Sequence, residues 1–384
     1  MKADPQDLVQ LHLALRLAAK GRGLTSPNPA VGAVLTRAGR EIGRGWHHRA
    51  GGPHAEIEVL RDAAMRGLKT SGSTLFVTLE PCSTHGRTPP CTNAIIAAGI
   101  KRVVVAATDP NPAHSGRGLE ILGKAGIEVE SGLLADRAEA LNEPFNHWIV
   151  NRQPLVTLKA AMTLDGKIAT ASGESKWITG PEARKEGMKL RQFQDAILAG
   201  VETVLRDDPS LTWRPVKADQ FAREKRPLRR IILDSSARTP LSAKVVTDEF
   251  SPHTTIFVTE KAPRQRVKLL GERVRVVVAP LCKGKVDLRW ALELLGQEDV
   301  TSLLVEGGGE VHGAFVEHGL ARRIVFFYAP LILGGGARPV VAGDGISPGD
   351  LAPRLTRLRW KRLGADLMLT ASIQPPAAPG LALT

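Results

Sequence analysis

Two short fragments constrain this chain more than any other part of it. Pro53-His54-Ala55-Glu56 opens one helical pattern, and Glu80-Pro81-Cys82 closes an apolar run, with Cys91 opening the next helical pattern. Together they supply an imidazole, two thiols and a spare carboxylate. A tetrahedral metal can take the first three and keep one position open. The fold must therefore bring a helix start, a strand end and a second helix start to one point. Helix N-termini carry free N–H groups and partial positive charge, so Cys91 and His54 open helices at a point where a thiolate is favoured over a thiol. On this reading His54, Cys82 and Cys91 are the metal ligands and Glu56 is the catalytic proton carrier.

The surrounding pattern is that of helices layered on a sheet. Asp4-Pro5 can cap and start a helix that runs to Lys20. Apolar runs at Ala30–Leu35, Thr74–Leu79 and Arg102–Ala106 read as strands, with helices over His54–Arg66, Cys91–Ala98 and Gly118–Ala125 and a further strand at Ile127–Val129. Residues 142–154 read as a loose connector. Beyond them the alternation restarts, with strands expected at Leu155–Ala160, Ala196–Ala199, Arg230–Leu233, Thr254–Val258, Val274–Val278, Ser302–Val305 and Ile324–Tyr328. The expected division is a first domain over 1–150, a second over 151–372 and a disordered tail over 373–384.

Composition narrows the functional classes. The formal charge is +13, which suits nucleic acid, anionic small molecules or simply a basic surface. A single Tyr and nine Phe offer little for base stacking, and the cations form no long block, so small anions are the better fit. Three cysteines, 82, 91 and 282, are too few and too odd for a disulfide framework. No run approaches 18 apolar residues, and the N-terminus has no signal-peptide pattern, so a cytoplasmic protein is expected.

Zinc on His/Cys/Cys with a free Glu is the machinery of nucleobase deaminases, whose signature is H-x-E…P-C-x-x-C. This chain widens the second spacing. The run Thr78-Leu79-Glu80-Pro81-Cys82-Ser83-Thr84-His85-Gly86-Arg87-Thr88-Pro89-Pro90-Cys91 resembles the bifunctional deaminase/reductases of riboflavin biosynthesis. Thr84 stands where that family usually has the first His of a Ser-His-His run. Pro27-Asn28-Pro29, Gly45-Trp46-His47 and Asp109-Pro110-Asn111-Pro112 extend the likeness. In the second half Leu158 to Ala169, Ser172 to Thr179, Gly200 to Val204 and Asp207 to Thr212 continue it.

The resemblance implies an N-terminal cytidine-deaminase-like α/β/α domain and a C-terminal dihydrofolate-reductase-like α/β domain. It implies Zn²⁺ in the first and NADPH in the second. It implies hydrolytic loss of the 2-amino group from 2,5-diamino-6-ribosylamino-4(3H)-pyrimidinone 5′-phosphate, then reduction of the ribosyl group to ribityl. Carried over by position, Asn28, His47, Asp109 and Asn111 would hold the first substrate. Ala161, Trp177, Thr203, Asp207, Ser235 and the run Gly308, Gly309, Glu310, Val311, His312, Gly313 and Ala314 would line NADPH. Ser175, Arg191, Leu211, Arg214 and Glu306 would hold the second substrate, with Arg191 and Arg214 suited to phosphate. Lys159 is either a catalytic proton relay or a strand-end lysine paired with a carboxylate. The Arg-rich segment Lys225–Arg230 is open to a surface role or to the cofactor's 2′-phosphate. The expected partners are a phosphorylated pyrimidine and further copies of the chain, as a dimer or tetramer, with no nucleic acid and no membrane. A nucleic-acid-editing deaminase with an appended domain is the alternative.

Overall fold

The computed structural model describes residues 4–84, 89–112, 114–215, 225–345 and 352–374. Of the tail expected over 373–384, Ile373 and Gln374 complete the last strand and the rest lies outside the described residues, as do His85 to Thr88 of the inter-cysteine loop. The chain forms two compact units, Met1–Arg152 and Gln153–Thr384.

The first unit is built on a five-stranded sheet. Its strands are β1 (Gly32–Arg37), β2 (Arg40–Trp46), β3 (Thr74–Leu79), β4 (Arg102–Ala107) and β5 (Glu128–Ser131), in the order β2-β1-β3-β4-β5. β1 runs antiparallel to β2 and β3, while β3, β4 and β5 are parallel. The inner parallel strands β3 and β4 are nearly continuous apolar runs because helices cover them on both faces, while β5 at the edge is polar. Helix α1 (Pro5–Gly21) starts at Asp4, whose carboxylate accepts from the Gln6 N–H at 2.8 Å. Asp7 of α1 is buried and takes a bidentate pair from Arg102 at the start of β4, at 3.0 and 2.6 Å.

β2 is absent from the sequence reading because Gly43 and Gly45 interrupt its apolar pattern. Those glycines have a packing purpose. A Cβ at Gly43 would stand 2.6 Å from the Val59 carbonyl oxygen, and one at Gly45 would stand 2.5 Å from the Val59 nitrogen. Helix α2 (Ala55–Met65) lies directly on the strand backbone, and it carries Glu56 with His54 as its N-cap.

Residues 142–154 are also not a loose connector. Glu143–Asn151 is a helix with Pro144 in its first turn and Trp148 buried. Asn142 anchors it by accepting from the Ala30 N–H at 2.8 Å and donating to the Ala30 carbonyl at 3.0 Å.

The second unit holds a nine-stranded sheet. Its order is Arg275–Val278, Thr254–Val258, Arg229–Leu233, Ala196–Gly200, Ser302–Val305, Leu155–Thr163, Arg323–Ala329, Asp366–Gln374, Arg354–Leu363. The first seven are parallel and the last two antiparallel. Apolar clusters cover the sheet, one around Leu158, Leu303 and Phe315, another around Ile197, Ile232 and Leu270. The terminal hairpin Arg354–Gln374 has no counterpart in the sequence reading. Its outer strand is mostly exposed and strongly basic, as suits a sheet edge.

The close approach of α2 to β2 predicts that Gly45→Ala pushes the helix outward. The expected result is a loss of about 1–3 kcal/mol in stability by denaturant titration, typical of overpacking. A fall in metal content of the purified protein accompanies it, because the same helix carries His54.

Candidate active sites

The first site forms where three elements end. Cys82 follows β3, and Cys91 is the first residue of helix α3 (Cys91–Ala97). His54 Nδ1 lies 3.6 Å from Cys82 Sγ and 3.3 Å from Cys91 Sγ, and the Cys91 N–H donates to Cys82 Sγ at 3.3 Å. The three ligand atoms all fall within 4.8 Å of one another. A tetrahedral zinc with bonds of about 2.0–2.3 Å spaces its ligands roughly 3.3–3.8 Å apart, so this donor set fits the ion.

The electrostatics match. The hydrogen bond between the thiols drives Cys82 down to about 4, with His54 helping, and pushes Cys91 up. The pair is thus biased toward the thiolate that a metal cation binds. His54 is raised through its hydrogen bond to Cys82. Glu56 is 3% exposed, and burial pushes its carboxyl up to about 7, against the opposing pull of His54.

The expected pyrimidine-binding residues gather at this point. His47 donates from Nδ1 to the Pro53 carbonyl at 2.9 Å, which leaves Nε2 to accept from the Asn28 amide at 3.2 Å. Burial lowers the His47 pKa, so the ring is neutral. Its centroid stands 5.3 Å from that of His54, edge-on. Asp109 follows β4, is buried, and accepts from the Asn111 N–H at 2.9 Å. Burial raises its carboxyl.

The second unit contains a cleft of about 1460 Å³ at the carboxyl ends of its parallel strands, the usual ligand position in open α/β sheets. Ala161, Trp177, Thr203, Asp207 and Ser235 line it, as do Gly308–Val311 and Ala314. Ser175, Leu211, Arg214, Lys159, Arg191 and Glu306 line it too. His312 and Gly313 do not. They sit on the inner face of the helix Gly309–Glu317, where His312 is fully buried with Nδ1 3.0 Å from the Val340 carbonyl. At Gly313 a Cβ would meet the Ala342 carbonyl oxygen at 1.6 Å. A helix presents a seven-residue run to a ligand only on one face.

Glu306 sits between two cations. Arg191 donates to it from Nε at 2.8 Å and from a terminal nitrogen at 3.0 Å, and Lys159 Nζ donates at 3.2 Å. Burial alone would raise the Glu306 carboxyl. The Arg191 and Lys159 charges overcome it and hold Glu306 far below the usual carboxylate range. A further Arg191 nitrogen donates to the Thr212 carbonyl at 2.8 Å. Its donors are thus already committed to protein acceptors, while Arg214 is exposed at the rim.

The Arg-rich segment turns inward as well. Lys225 Nζ donates to the Gln194 carbonyl, Arg229 pairs with Glu298, and Arg230 is 0% exposed. Arg230 binds Asp248 through two 2.7 Å bonds and the Ser210 carbonyl at 2.9 Å. It braces the loop in which Asp208 and Leu211 adopt positive φ of 40° and 49°. Cleft residues missed by the sequence reading include Arg206, Arg238, Lys244 and Arg338. Cys282, which had no assigned role, lines the cleft from a short hairpin.

Comparisons with known proteins agree with this geometry. Residues 5–107 match the cytidine and deoxycytidylate deaminase zinc-binding region, and residues 154–369 match the RibD C-terminal domain. Riboflavin biosynthesis protein RibD of Aquifex aeolicus is 46% identical over 366 residues, covering 94% of this chain and 96% of that protein. A structure of Acinetobacter baumannii RibD superposes with a TM-score of 0.84 at 36% identity, covering 96% of this chain and 99% of that one. The diaminohydroxyphosphoribosylaminopyrimidine deaminase/5-amino-6-(5-phosphoribosylamino)uracil reductase of Thermotoga maritima gives a TM-score of 0.80 at 34% identity, with 96% and 99% coverage. The nucleic-acid-editing alternative is not favoured by a match that spans both units. The chain belongs to the RibD family of riboflavin-biosynthesis proteins, in which a zinc-binding deaminase domain is joined to an NADPH-dependent reductase domain.

Proposed function

We propose that the first domain removes the 2-amino group of 2,5-diamino-6-ribosylamino-4(3H)-pyrimidinone 5′-phosphate as ammonia, and that the second reduces the ribosyl group of 5-amino-6-(5-phosphoribosylamino)uracil to ribityl. The observation that carries this reading is the convergence of His54 Nδ1, Cys82 Sγ and Cys91 Sγ beside the buried Glu56. His54, Cys82 and Cys91 would hold zinc. Zinc, when bound, supplies the Lewis acidity that makes water nucleophilic near neutral pH. Glu56 takes a proton from the attacking water and passes it to the ring nitrogen, then takes the second proton from the hydroxyl added to the ring carbon and delivers it to the departing amine as the carbonyl forms. Neutral His47 and Asn28 hold the pyrimidine edge, while Asp109 and Asn111 hold the ribose phosphate side.

In the second domain the cleft residues would hold NADPH, which when bound would supply the hydride for the ribose carbon that bears the ring amine. Ala161, Trp177, Thr203, Asp207, Ser235 and the cleft-facing part of Gly308–Ala314 bind the cofactor. Ser175, Leu211, Arg214 and Glu306 hold the substrate. Arg214 takes the phosphate, because its guanidinium lies at the rim. Arg191 fixes Glu306, and Lys159 relays a proton near the sugar. The exposed Leu355, Leu358 and Trp360 on the outer sheet strand support assembly into a homo-oligomer. Free cysteines and a thiolate metal site suit the reducing cytoplasm. Among the described residues no helix is long and apolar enough to cross a membrane.

A coupled assay on the full chain tests the reading. A zinc chelator is expected to stop ammonia release and to leave NADPH oxidation intact on pre-deaminated substrate. Glu56→Gln is expected to lower deamination by about 10²–10⁴-fold without affecting reduction; retained deamination would remove Glu56 from the mechanism.

The raised Glu56 carboxyl also sets a pH dependence in the metal-free protein. Its folded value, about 7, exceeds the ordinary 4.5. The folded state therefore holds a proton that the unfolded chain loses, and stability falls as pH rises from about 4.5 to 7. Glu56→Gln should abolish that decline, so urea midpoints of variant and parent diverge above pH 7 and converge below pH 4.5.

Glu306→Gln leaves Lys159 and Arg191 as partly compensated buried cations. A loss of about 3–5 kcal/mol is expected for breaking such a group, read as a lower melting temperature of the second domain together with lost reduction.

A further inference from the structure

Glu80 lies two residues before Cys82 and is absent from the chemistry above. It is 5% exposed, and among the described residues its carboxylate makes no ion pair. It faces three backbone N–H groups instead. Oε2 accepts from Asp109 at 3.1 Å and from Gly116 at 2.9 Å, and Oε1 accepts from Gly118 at 2.8 Å. All three donors belong to the segment from the end of β4 to helix Arg117–Lys124, which carries Asp109 and Asn111. The Glu80 N–H in turn donates to the Ala107 carbonyl at 2.9 Å, extending the β3–β4 ladder to the residue before the loop. The loop is also pressed close: a Cβ at Gly118 would stand 2.3 Å from the Pro81 carbonyl oxygen and 3.1 Å from Glu80 Oε1.

Three converging donors and no acceptor call for a group that only accepts. An ionised carboxylate meets that need on both oxygens. A glutamine of the same shape cannot, because its NH₂ must face at least one of the N–H groups. We propose that Glu80 is the positioning residue of the deaminase domain: it clamps the Asp109–Gly118 loop to the strand that delivers Cys82, and so fixes the distance between the substrate's ribose phosphate contacts and the metal ligands. This rests on the reading that Asp109 and Asn111 contact the first substrate. Glu80 touches neither metal ligand side chains nor substrate. Its effect belongs to substrate binding rather than to the proton transfers of Glu56.

The test uses the full-length zinc-loaded chain and its Glu80→Gln variant, with the diaminopyrimidine nucleotide as substrate. The KM for ammonia release is expected to rise by about tenfold to a hundredfold, the range for one buried N–H left without an acceptor. The turnover number should stay within roughly threefold, with zinc content and reduction of pre-deaminated substrate unchanged. Amide exchange at Asp109, Gly116 and Gly118 should accelerate while β3 and β4 stay protected. Faster exchange with an unchanged KM would overturn the positioning role. Loss of zinc with a collapsed turnover would overturn it too, by making Glu80 a support of the metal loop. Asn111→Ala separates the two layers: if it leaves KM unchanged, the loop does not contact substrate and the underlying reading fails, whereas a raised KM there with an unmoved Glu80→Gln sinks only the clamp. Should Glu80→Gln not fold, Gly118→Ala pushes the same loop off Pro81, and the same KM shift with intact zinc is required of it.

Discussion

A thiolate survives inside a protein only where positive potential meets it, and the first domain is arranged around that requirement. Cys82 and Cys91 are brought together at a strand end and a helix start, with an imidazole across from them and a backbone N–H donated to one sulfur. Helix α2 must then reach the same point to deliver His54 and Glu56. It does so by resting on a strand stripped of side chains at Gly43 and Gly45. Burial of Glu56 in the first turn of the same helix lifts its carboxyl into a range suited to carrying protons at neutral pH. Packing and acid–base chemistry are the same arrangement seen at two scales.

The second domain solves a different problem with parallel strands. Its strands end at a common edge, and the residues that follow them, Val201 to Thr203, Ser235 and Glu306 to Gly309, fall along one cleft without any long excursion of the chain. Behind that edge, guanidinium groups brace the loops. Arg230 holds the Ser210 carbonyl and Asp248, and Arg191 holds Glu306 and the Thr212 carbonyl. These are fully committed side chains, and they keep residues of unfavourable backbone conformation such as Leu211 in place.

Much of this was legible in the sequence where side-chain pattern and backbone environment agree. Thr74–Leu79, Thr254–Val258 and Ser302–Val305 coincide with the expected strands, because buried parallel strands are unbroken apolar runs. The ligand set was readable because Cys, His and Glu at element boundaries have few other reasons to coincide. What escaped was set by contacts between distant segments. β2 is hidden by glycines chosen for a helix elsewhere in the chain. The helix Glu143–Asn151 depends on Asn142 finding Ala30 more than a hundred residues away. A guanidinium reads alike whether it faces solvent or a buried carboxylate, which is why Arg191 and the Lys225–Arg230 segment were open to ligand roles. His312 and Gly313 stand in an unbroken run with cleft residues, but the turn of the helix carries them to its inner face.

The Lys159–Glu306–Arg191 group has a consequence of its own. Two largely buried cations share one carboxylate, so the group carries an excess of one positive charge that bulk water screens poorly. An anionic guest completes that group as well as occupying space. Anion binding and the firmness of the domain are thereby linked, because a bound anion contributes to holding the strand ends together.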